Sequence, residues 1–165
     1  MKRSALTRKT PLRTRTKIKS VSGKTVAKLK KELDSLCSKY VRLRDDYTCV
    51  VCGIRNPVWT MGDPTSASCG HIITRGAGSL RFDVRPDGNL HTQCSRCNSI
   101  HGGKNFRIRQ NADQWPYVKW YIDKFGMDRW EQLREEGKQD GHWGKGDLEI
   151  RIEEMKIALK ALEDK

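Results

Sequence analysis

The sequence predicts a mostly helical α+β protein whose small core has two short strands followed by a helix. Residues 25–46 and 147–163 repeat apolar residues at steps of three and four, as one buried face of a helix does. Two Cys-x-x-Cys pairs frame 41 residues that contain two short β-prone runs and an Asp-Gly turn. Only 36% of the 165 residues are hydrophobic and 32% are charged, so we expect a metal ion to supplement a thin apolar core.

The chain length fits one domain with appendages. No stretch reaches the roughly 18 apolar residues of a membrane span, and the N-terminus lacks the apolar segment of a secretory signal. We therefore expect a cytoplasmic protein with no membrane partner. In a reducing cytosol the six cysteines are expected to bind metal rather than to form disulfides.

Residues 1–24 are predicted to form a flexible basic arm. Residues 1–31 carry twelve Lys or Arg and no acidic residue, whereas residues 32–165 carry 21 basic and 20 acidic residues. Such a segment attracts nucleic acid because each phosphate that it neutralises releases a counterion. A solvated tail, an anionic membrane surface or nuclear import would also account for the charge. The predicted DNA-binding residues of the arm are Lys2, Arg3, Arg8, Lys9, Arg13, Arg15, Lys17 and Lys19.

An amphipathic helix is predicted over residues 25–46, leading into the core. Its apolar stripe consists of Val26, Leu29, Leu33, Leu36, Tyr40 and Leu43. Cys37 lies beside this stripe and has no partner at ligand spacing, so we expect it to be a packed thiol. Cys69, outside both cysteine pairs, is expected to be another packing residue.

The cysteine pairs predict a structural zinc site in the core, residues 47–105. Cys49, Cys52, Cys94 and Cys97 supply four soft ligands, which would close a tetrahedron around zinc with no open position. The alternative is two pairs of incidental buried thiols. Between the pairs, "CGHIITRG" and the end of "RPDGNLHTQC" are predicted to be extended, and a helix could begin after Cys97.

Residues 106–165 are predicted to be a helical region, with one or two helices after Pro116 and a last helix over 147–163. The glycines of "EEGKQDGHWGKGD" predict a loop before the last helix. The aromatic residues of the region are expected to pack in the core rather than to stack on bases; they are Trp115, Tyr117, Trp120, Tyr121, Phe125 and Trp130.

The stretch "GHI…GNLHTQCSRCN" resembles the ββα-metal, or HNH (His-Me finger), nuclease motif in its zinc-stapled form. More closely, the basic start, "YVRLRDDYTCVVCG", "CGHIITRGAGSLRFD" and "QCSRCN..HGG" resemble the phage NinG (Rap) recombination family. The resemblance covers the start and residues 36–105, and beyond that it rests on a general helical, charged character. It implies a zinc-clipped nuclease core that cuts branched DNA, such as Holliday junctions or displacement loops, in the bacterial host cell.

The predicted catalytic residues are His71, Asn89 and Asn98. Phosphodiester hydrolysis needs a base to activate water, and histidine titrates near neutrality, so His71 is expected to take the proton. Asn89 is expected to orient the loop between the strands. Asn98 offers a hard oxygen suited to Mg²⁺ or Mn²⁺, and by resemblance it is the ligand of the catalytic ion.

The second protein ligand of that ion is left open by the sequence. Many members of the wider nuclease class have an aspartate just before the histidine, and this chain has Gly70 there. The first candidate is His101, three residues after Asn98 and so on the same face of a helix. Asp83 is the second candidate and His91 a third, weaker one. Basic residues around the motif are expected to hold phosphates; they are Arg75, Arg81, Arg85, Arg96 and Lys104.

The sequence therefore predicts a metal-dependent endodeoxyribonuclease with structural Zn²⁺ and catalytic Mg²⁺ or Mn²⁺. Its expected partners are DNA, by resemblance branched, other phage or host recombination proteins, and a second copy of the chain, paired through the first or last helix. Composition and spacing do not select branched over linear DNA, so a phage HNH enzyme that nicks duplex DNA is an alternative. A non-catalytic zinc module that binds nucleic acid is another, although it leaves the placement of His71 and Asn98 unexplained.

Overall fold

The computed structural model describes residues 23–102 and 115–164, and of residues 100–102 only the backbone. Its elements are α1 (Val26–Arg44), β1 (Ala67–His71), a 3-10 turn (Gly78–Leu80), β2 (Leu90–Cys94), α2 (Ser95–Gly102), α3 (Pro116–Phe125), α4 (Met127–Glu136) and α5 (Lys145–Glu163). The structure confirms a helix-rich α+β protein with a small two-stranded sheet. Residues 1–22 of the predicted basic arm lie outside the described residues.

Helices α1 and α5 pack together and form the first core cluster. The side chain of Thr25 caps α1 by accepting a hydrogen bond from the Lys28 N–H, 3.3 Å away. The buried residues of α1 are Leu29, Leu33, Cys37 and Val41, and those of α5 are Leu148, Ile152, Met155 and Leu159. Cys37 thus lies at the centre of the buried face of α1, where the sequence placed it beside the stripe, and Leu36 and Tyr40 lie at its edge.

A second cluster joins α3 and α4 to the loop that follows β1. Ile72 and Leu80 pack there against Tyr117, Tyr121 and Trp130. Burial of these three aromatic rings agrees with the expectation that they belong to the core. Proline at the first position of α3 and Gly126 between α3 and α4 explain where these two helices begin and turn.

Strands β1 and β2 form an antiparallel pair between the two clusters. His71 pairs with Leu90 and Ala67 with Cys94, so the register fixes every residue of both strands. Leu90 and Cys69 pack with the α1–α5 cluster, whereas Ile72 packs with the α3–α4 cluster. Because side chains alternate along a strand, each face of the hairpin packs against one helix pair.

Element bounds differ from the predictions at three places. Helix α2 begins at Ser95, ahead of Cys97, because β2 passes directly into it. Strand β1 ends at His71, and the residues after it turn into the 3-10 segment. Glu135 and Glu136 belong to the last turn of α4. Within the described residues, no helix has the length and apolar character needed to cross a membrane.

The loop before α5 touches the loop before β2 through two glycines. A Cβ added to Gly141 would lie 1.9 Å from the backbone carbon of Gly78, which no side chain can tolerate. Trp143, in the same loop, donates a hydrogen bond from Nε1 to the Gly78 oxygen at 2.7 Å and packs edge-on against Phe82. This contact ties the α4–α5 connection to the loop that follows His71.

We predict that Gly141→Ala lowers the free energy of unfolding by about 1–3 kcal/mol or more, because two backbones must separate. Gly146→Ala is the matched control, since its Cβ meets no atom within 4 Å and it lies inside α5. The control should stabilise the protein slightly. Urea denaturation of both variants checks the difference, and equal midpoints would contradict the close contact.

Candidate functional site

Four cysteines converge on one point where the loop after α1 meets the end of β2. The Sγ atoms of Cys49, Cys52, Cys94 and Cys97 all lie within 4.8 Å of one another, and those of Cys52 and Cys94 are 3.7 Å apart. A tetrahedral zinc ion with Zn–S bonds of about 2.3 Å places its sulfurs about 3.8 Å apart. The geometry of the four thiols therefore fits a metal such as zinc.

Local backbone structure explains how the thiols converge. The first pair lies on a tight turn, where Gly53 has a positive φ of 72° and the Cys49 N–H donates to the Ile54 oxygen at 2.8 Å. Cys94 is the last residue of β2, and Cys97 lies in the first turn of α2. The Val50 N–H donates to the Thr92 oxygen at 2.9 Å and so attaches the first turn to β2.

His71 lies at the end of β1, largely buried, with its ring held by a main-chain carbonyl. Its Nε2 is 3.1 Å from the oxygen of Arg81. A carbonyl oxygen can only accept, so Nε2 carries the proton and Nδ1 keeps a lone pair. Burial lowers the pKa of His71 to about 4, an effect that the hydrogen bond to Arg81 partly opposes. The ring is therefore neutral at pH 7 and able to take a proton at Nδ1.

Asn89 is fully buried and braces the loop that joins β1 to β2. Its Oδ1 accepts from the Ile73 N–H at 2.7 Å, and its Nδ2 donates to the oxygens of Ile73 and Leu80 at 2.9 and 3.0 Å. Its backbone oxygen accepts from the Ile72 N–H at 3.0 Å. Asn89 thus fixes the backbone next to His71 and meets no solvent, as expected of a residue that orients this loop.

Asn98 projects from α2 toward β1. Its Nδ2 donates to Ser68 Oγ at 3.2 Å, and that hydroxyl donates its one proton to the Gln93 backbone oxygen at 3.0 Å. Because Ser68 has no second proton to give, it must accept from Asn98, which sets the orientation of the amide. Asn98 Oδ1 accepts no hydrogen bond from any residue that the structure describes.

Gln93 occupies the space beside Gly70. A Cβ on residue 70 would lie 2.0 Å from Gln93 Oε1, so no side chain fits at this position while Gln93 keeps its conformation. Gln93 is 0% exposed, and neither atom of its amide group has a hydrogen-bond partner in the described part of the chain. A buried amide left unpaired costs about 1–3 kcal/mol, so this group is suited to a ligand or a water molecule.

The structure gives Asp83 partners that argue against a role as metal ligand. Its oxygens accept from Arg85 Nε and Nη2 at 2.8 and 2.9 Å, and from the Asn89 N–H at 3.2 Å. The carboxylate therefore closes the turn before β2. His91, a weaker candidate, is buried between α3 and the turn, with Nδ1 2.9 Å from Tyr117 Oη and Nε2 3.0 Å from the Pro86 oxygen.

The predicted phosphate-binding arginines fall into two groups. Arg81 pairs with Asp34 of α1 at 2.6 Å, and Arg85 pairs with Asp83 and with Glu136. These ion pairs attach the segment between β1 and β2 to α1 and α4, and phosphate binding by Arg81 and Arg85 stays a prediction. Arg75 and Arg96 are exposed, and neither forms an ion pair with any described residue.

Several predicted residues lie partly or wholly outside the described part of the chain. They are Lys104 and the eight basic residues of the arm. The backbone of His101 belongs to α2, but its side chain is outside the described atoms. Sequence reasoning also missed Ser68, Gln93 and Asp34, which act on site residues through contacts that the chain forms only when folded. Gln93 lies opposite Ser68 in the strand register, a pairing that no local motif in the sequence indicates.

A scan against protein-family models matches residues 1–165, the whole chain, to the model described as "Bacteriophage Lambda NinG protein". The chain belongs to the NinG family. The family assigned from the cysteine pairs and their flanking residues is therefore confirmed at the level of NinG. Searches of the curated proteins and of the solved structures found no match to this NinG-family chain.

For the NinG-family chain we predict that Cys52→Ser lowers the zinc content from about one ion per chain and destabilises the fold, because a tetrahedral site then lacks one ligand. Cys69→Ala is the control, since Cys69 packs against the α1–α5 cluster, away from the four thiols. It should keep its zinc. Atomic emission for zinc and thermal unfolding check both variants, and equal zinc content would contradict the assignment.

The stability of the NinG-family chain should rise with pH between about 4 and 6.5. Burial lowers the pKa of both His71 and His91 from 6.5 to about 4. In this window the unfolded chain binds protons at the two imidazoles that the folded chain does not, and stability increases with pH wherever the unfolded state binds more protons.

The slope is measured by urea denaturation at successive pH values, with zinc release followed separately. The variant His71→Gln should show a slope smaller by about one proton than the unsubstituted chain. Glutamine can still donate to the Arg81 oxygen, so the comparison isolates the titration of the ring. Identical slopes would show that His71 is not buried in its neutral form.

Proposed function

We propose that this protein is a metal-dependent DNA endonuclease of phage recombination that acts on branched DNA. The observation that supports it most is the geometry of His71, whose ring is fixed through Nε2 and has no partner at Nδ1 among the described residues. A histidine with only a structural role would not need a free acceptor at Nδ1 next to the strand and helix that carry the second cysteine pair. The proposal places His71 in an HNH-like ββα unit made of β1, β2 and α2.

In the proposed reaction, Nδ1 of His71 takes a proton from the water that attacks the phosphorus atom. The Arg81 carbonyl keeps the ring oriented and stabilises the imidazolium that forms. A pKa of about 4 makes a weak base, but a phosphate next to the ring favours its charged form and raises the pKa toward neutrality. Binding of the substrate phosphate would thus raise the pKa of His71.

The carboxamides beside β1 are suited to a hard divalent ion. Asn98 presents Oδ1 because Ser68 holds its nitrogen, and the buried Gln93 has an amide oxygen with no partner among the described residues. Oxygen ligands of this kind suit Mg²⁺ or Mn²⁺. Such an ion would stabilise the charge that develops on the phosphorane and on the leaving oxygen. Asn98 is the ligand that we propose. Gln93 is fully buried on the face of the hairpin that carries Ser68 and Gly70, whereas His71 points to the other face, so the second ligand stays open.

Phosphate contacts are proposed for the two exposed arginines near the site. Arg75 lies four residues after His71, and Arg96 lies in the first turn of α2, two residues before Asn98. Unpaired guanidinium groups can grip phosphate oxygens with two hydrogen bonds. The basic residues at the start of the chain would add sequence-independent, salt-sensitive affinity.

The choice of branched DNA follows from the recombination role that we attribute to the NinG family. Cutting both strands at a junction needs two active sites, so we also propose a homodimer. Other phage or host recombination proteins remain proposed partners. Of the two alternatives, nicking of linear duplex would use the same site residues, whereas a zinc-containing binding module would need the four cysteines and the charge but not His71.

The first experiment compares nicking of a synthetic four-way junction with nicking of a linear duplex of the same sequence, in Mg²⁺, in Mn²⁺ and without either ion. His71→Ala should lower the cleavage rate by about 10²- to 10⁴-fold, the usual contribution of a general base. His142→Ala is the matched control because His142 is an exposed loop residue. Zinc content must be equal in all samples.

The outcomes separate the three functions. Ion-dependent cutting that prefers the junction and is lost in His71→Ala supports the proposal. Equal cutting of both substrates indicates a general nicking enzyme. Absence of cutting by folded, zinc-loaded protein, with DNA binding retained, indicates the binding module. A rate that His142→Ala lowers as much as His71→Ala would contradict the role of His71.

A further inference from the structure

Four large apolar side chains are exposed together in the loop between the first cysteine pair and β1. In this loop, residues 54–61, Ile54 is 42% exposed, Val58 64%, Trp59 58% and Met61 84%. The other large exposed apolar residues of the described chain lie on helices; they are Val26, Met127, and Ile150 with Ile157, which are two turns apart on α5. Apolar side chains concentrated in this way on one segment mark an interaction surface.

The 54–61 loop is held in one shape by its own polar groups. Asn56 donates to Asp63 at 3.1 Å and to Thr65 at 2.8 Å, and its Oδ1 accepts from the Val58 N–H at 3.0 Å. Ser66 Oγ accepts from the Thr60 N–H at 3.0 Å and donates to the Thr60 oxygen at 3.1 Å. The exposed side chains are therefore presented by a braced backbone.

The base of this loop is attached to the first turn of α2. The Ser95 N–H donates to the Ser66 oxygen and the Arg96 N–H to the Pro64 oxygen, both at 2.9 Å. Ser95 Oγ also donates to the Ser66 oxygen, at 3.1 Å. Because α2 carries Asn98 and the exposed Arg96, a substrate that reaches α2 also comes near the 54–61 loop.

We propose that the 54–61 loop stacks on unpaired or unstacked bases at a branch point and so gives the site its preference for branched DNA. This inference rests on the proposed nuclease function. In linear duplex the base faces are covered by their neighbours, whereas a junction or displaced strand exposes some of them. Indole and thioether groups pack well on such faces, and apolar side chains are used as wedges between base steps.

The charge of the surroundings favours nucleic acid as the occupant. Arg96 lies beside the loop with no ion pair among the described residues, and the chain carries a net charge of +13. Arg55, within the loop, is neutralised by Asp46 at 2.8 Å and so does not compete with the apolar contact. In the proposed complex Arg96 holds a phosphate while Trp59 stacks on a base, the two kinds of contact that binders of single-stranded nucleic acid combine.

The test measures binding of the full zinc-loaded chain in a His71→Ala background, so that cutting cannot interfere. Trp59→Ala should weaken binding to a four-way junction by about tenfold or more, the usual effect of losing one stacked base. Binding to linear duplex should change by less than about twofold, because phosphate contacts remain. Trp59→Phe should restore most of the junction affinity.

Met61→Ala and Met127→Ala form a matched pair of exposed methionines, one in the loop and one at the start of α4. The first should reduce junction affinity and the second should not. A 2-aminopurine base at the junction centre should be quenched by the unsubstituted Trp59 and not by the Trp59→Ala variant. Fluorescence anisotropy and quenching are recorded at one fixed salt concentration.

An equal loss of junction and duplex affinity, or no loss of either, would overturn the stacking role of the loop; the second result would point to a protein partner. Failure of the nuclease proposal has a different signature. It appears as absence of cutting by the chain with His71 intact, whatever Trp59→Ala does to binding. Cutting of junctions that is unaffected by Trp59→Ala would overturn the loop proposal alone.

Discussion

The convergence of four cysteine thiols is the constraint on which the rest of the structure depends. The chain has only a modest apolar fraction, and its two core clusters lie on opposite faces of a two-stranded sheet that could not stand alone. The thiols join the turn after α1, the end of β2 and the start of α2 at a single point. A metal bound at this point would hold the turn after α1 against the continuous β2–α2 segment.

The strand, Asn89 and Arg81 each fix a different part of the surroundings of His71. The strand places the imidazole, Asn89 fixes the turn that follows it, and Arg81 supplies the acceptor for its ring proton. None of these contacts requires a charged partner for the histidine, so its basicity is set by burial rather than by an acid–base pair. Among the described residues, Oδ1 of Asn98 and the amide group of the buried Gln93 have no hydrogen-bond partner.

The sequence predicted features that depend on local spacing and missed those that depend on tertiary contact. The helices α1 and α5, the cysteine pairs and the histidine at the end of a short strand are all visible as periods or motifs within a few residues. In the sequence, Asp83 is a candidate ligand for an ion, and Arg81 and Arg85 are candidate ligands for phosphate. In the fold, Arg81 pairs with Asp34, and Arg85 pairs with both Asp83 and Glu136. Ser68 and Gln93 carry no motif, because their importance comes from lying opposite one another in the strand register.

Arg81 serves two elements at once. Its backbone oxygen accepts a hydrogen bond from Nε2 of His71, while its guanidinium group forms an ion pair with Asp34 on α1. The orientation of the imidazole is consequently coupled to the position of α1. If α1 shifts along the sheet, either the ion pair breaks or the carbonyl that holds the ring moves with it. A displacement of α1, the helix that follows the basic start of the chain, would thus change the orientation of the His71 ring.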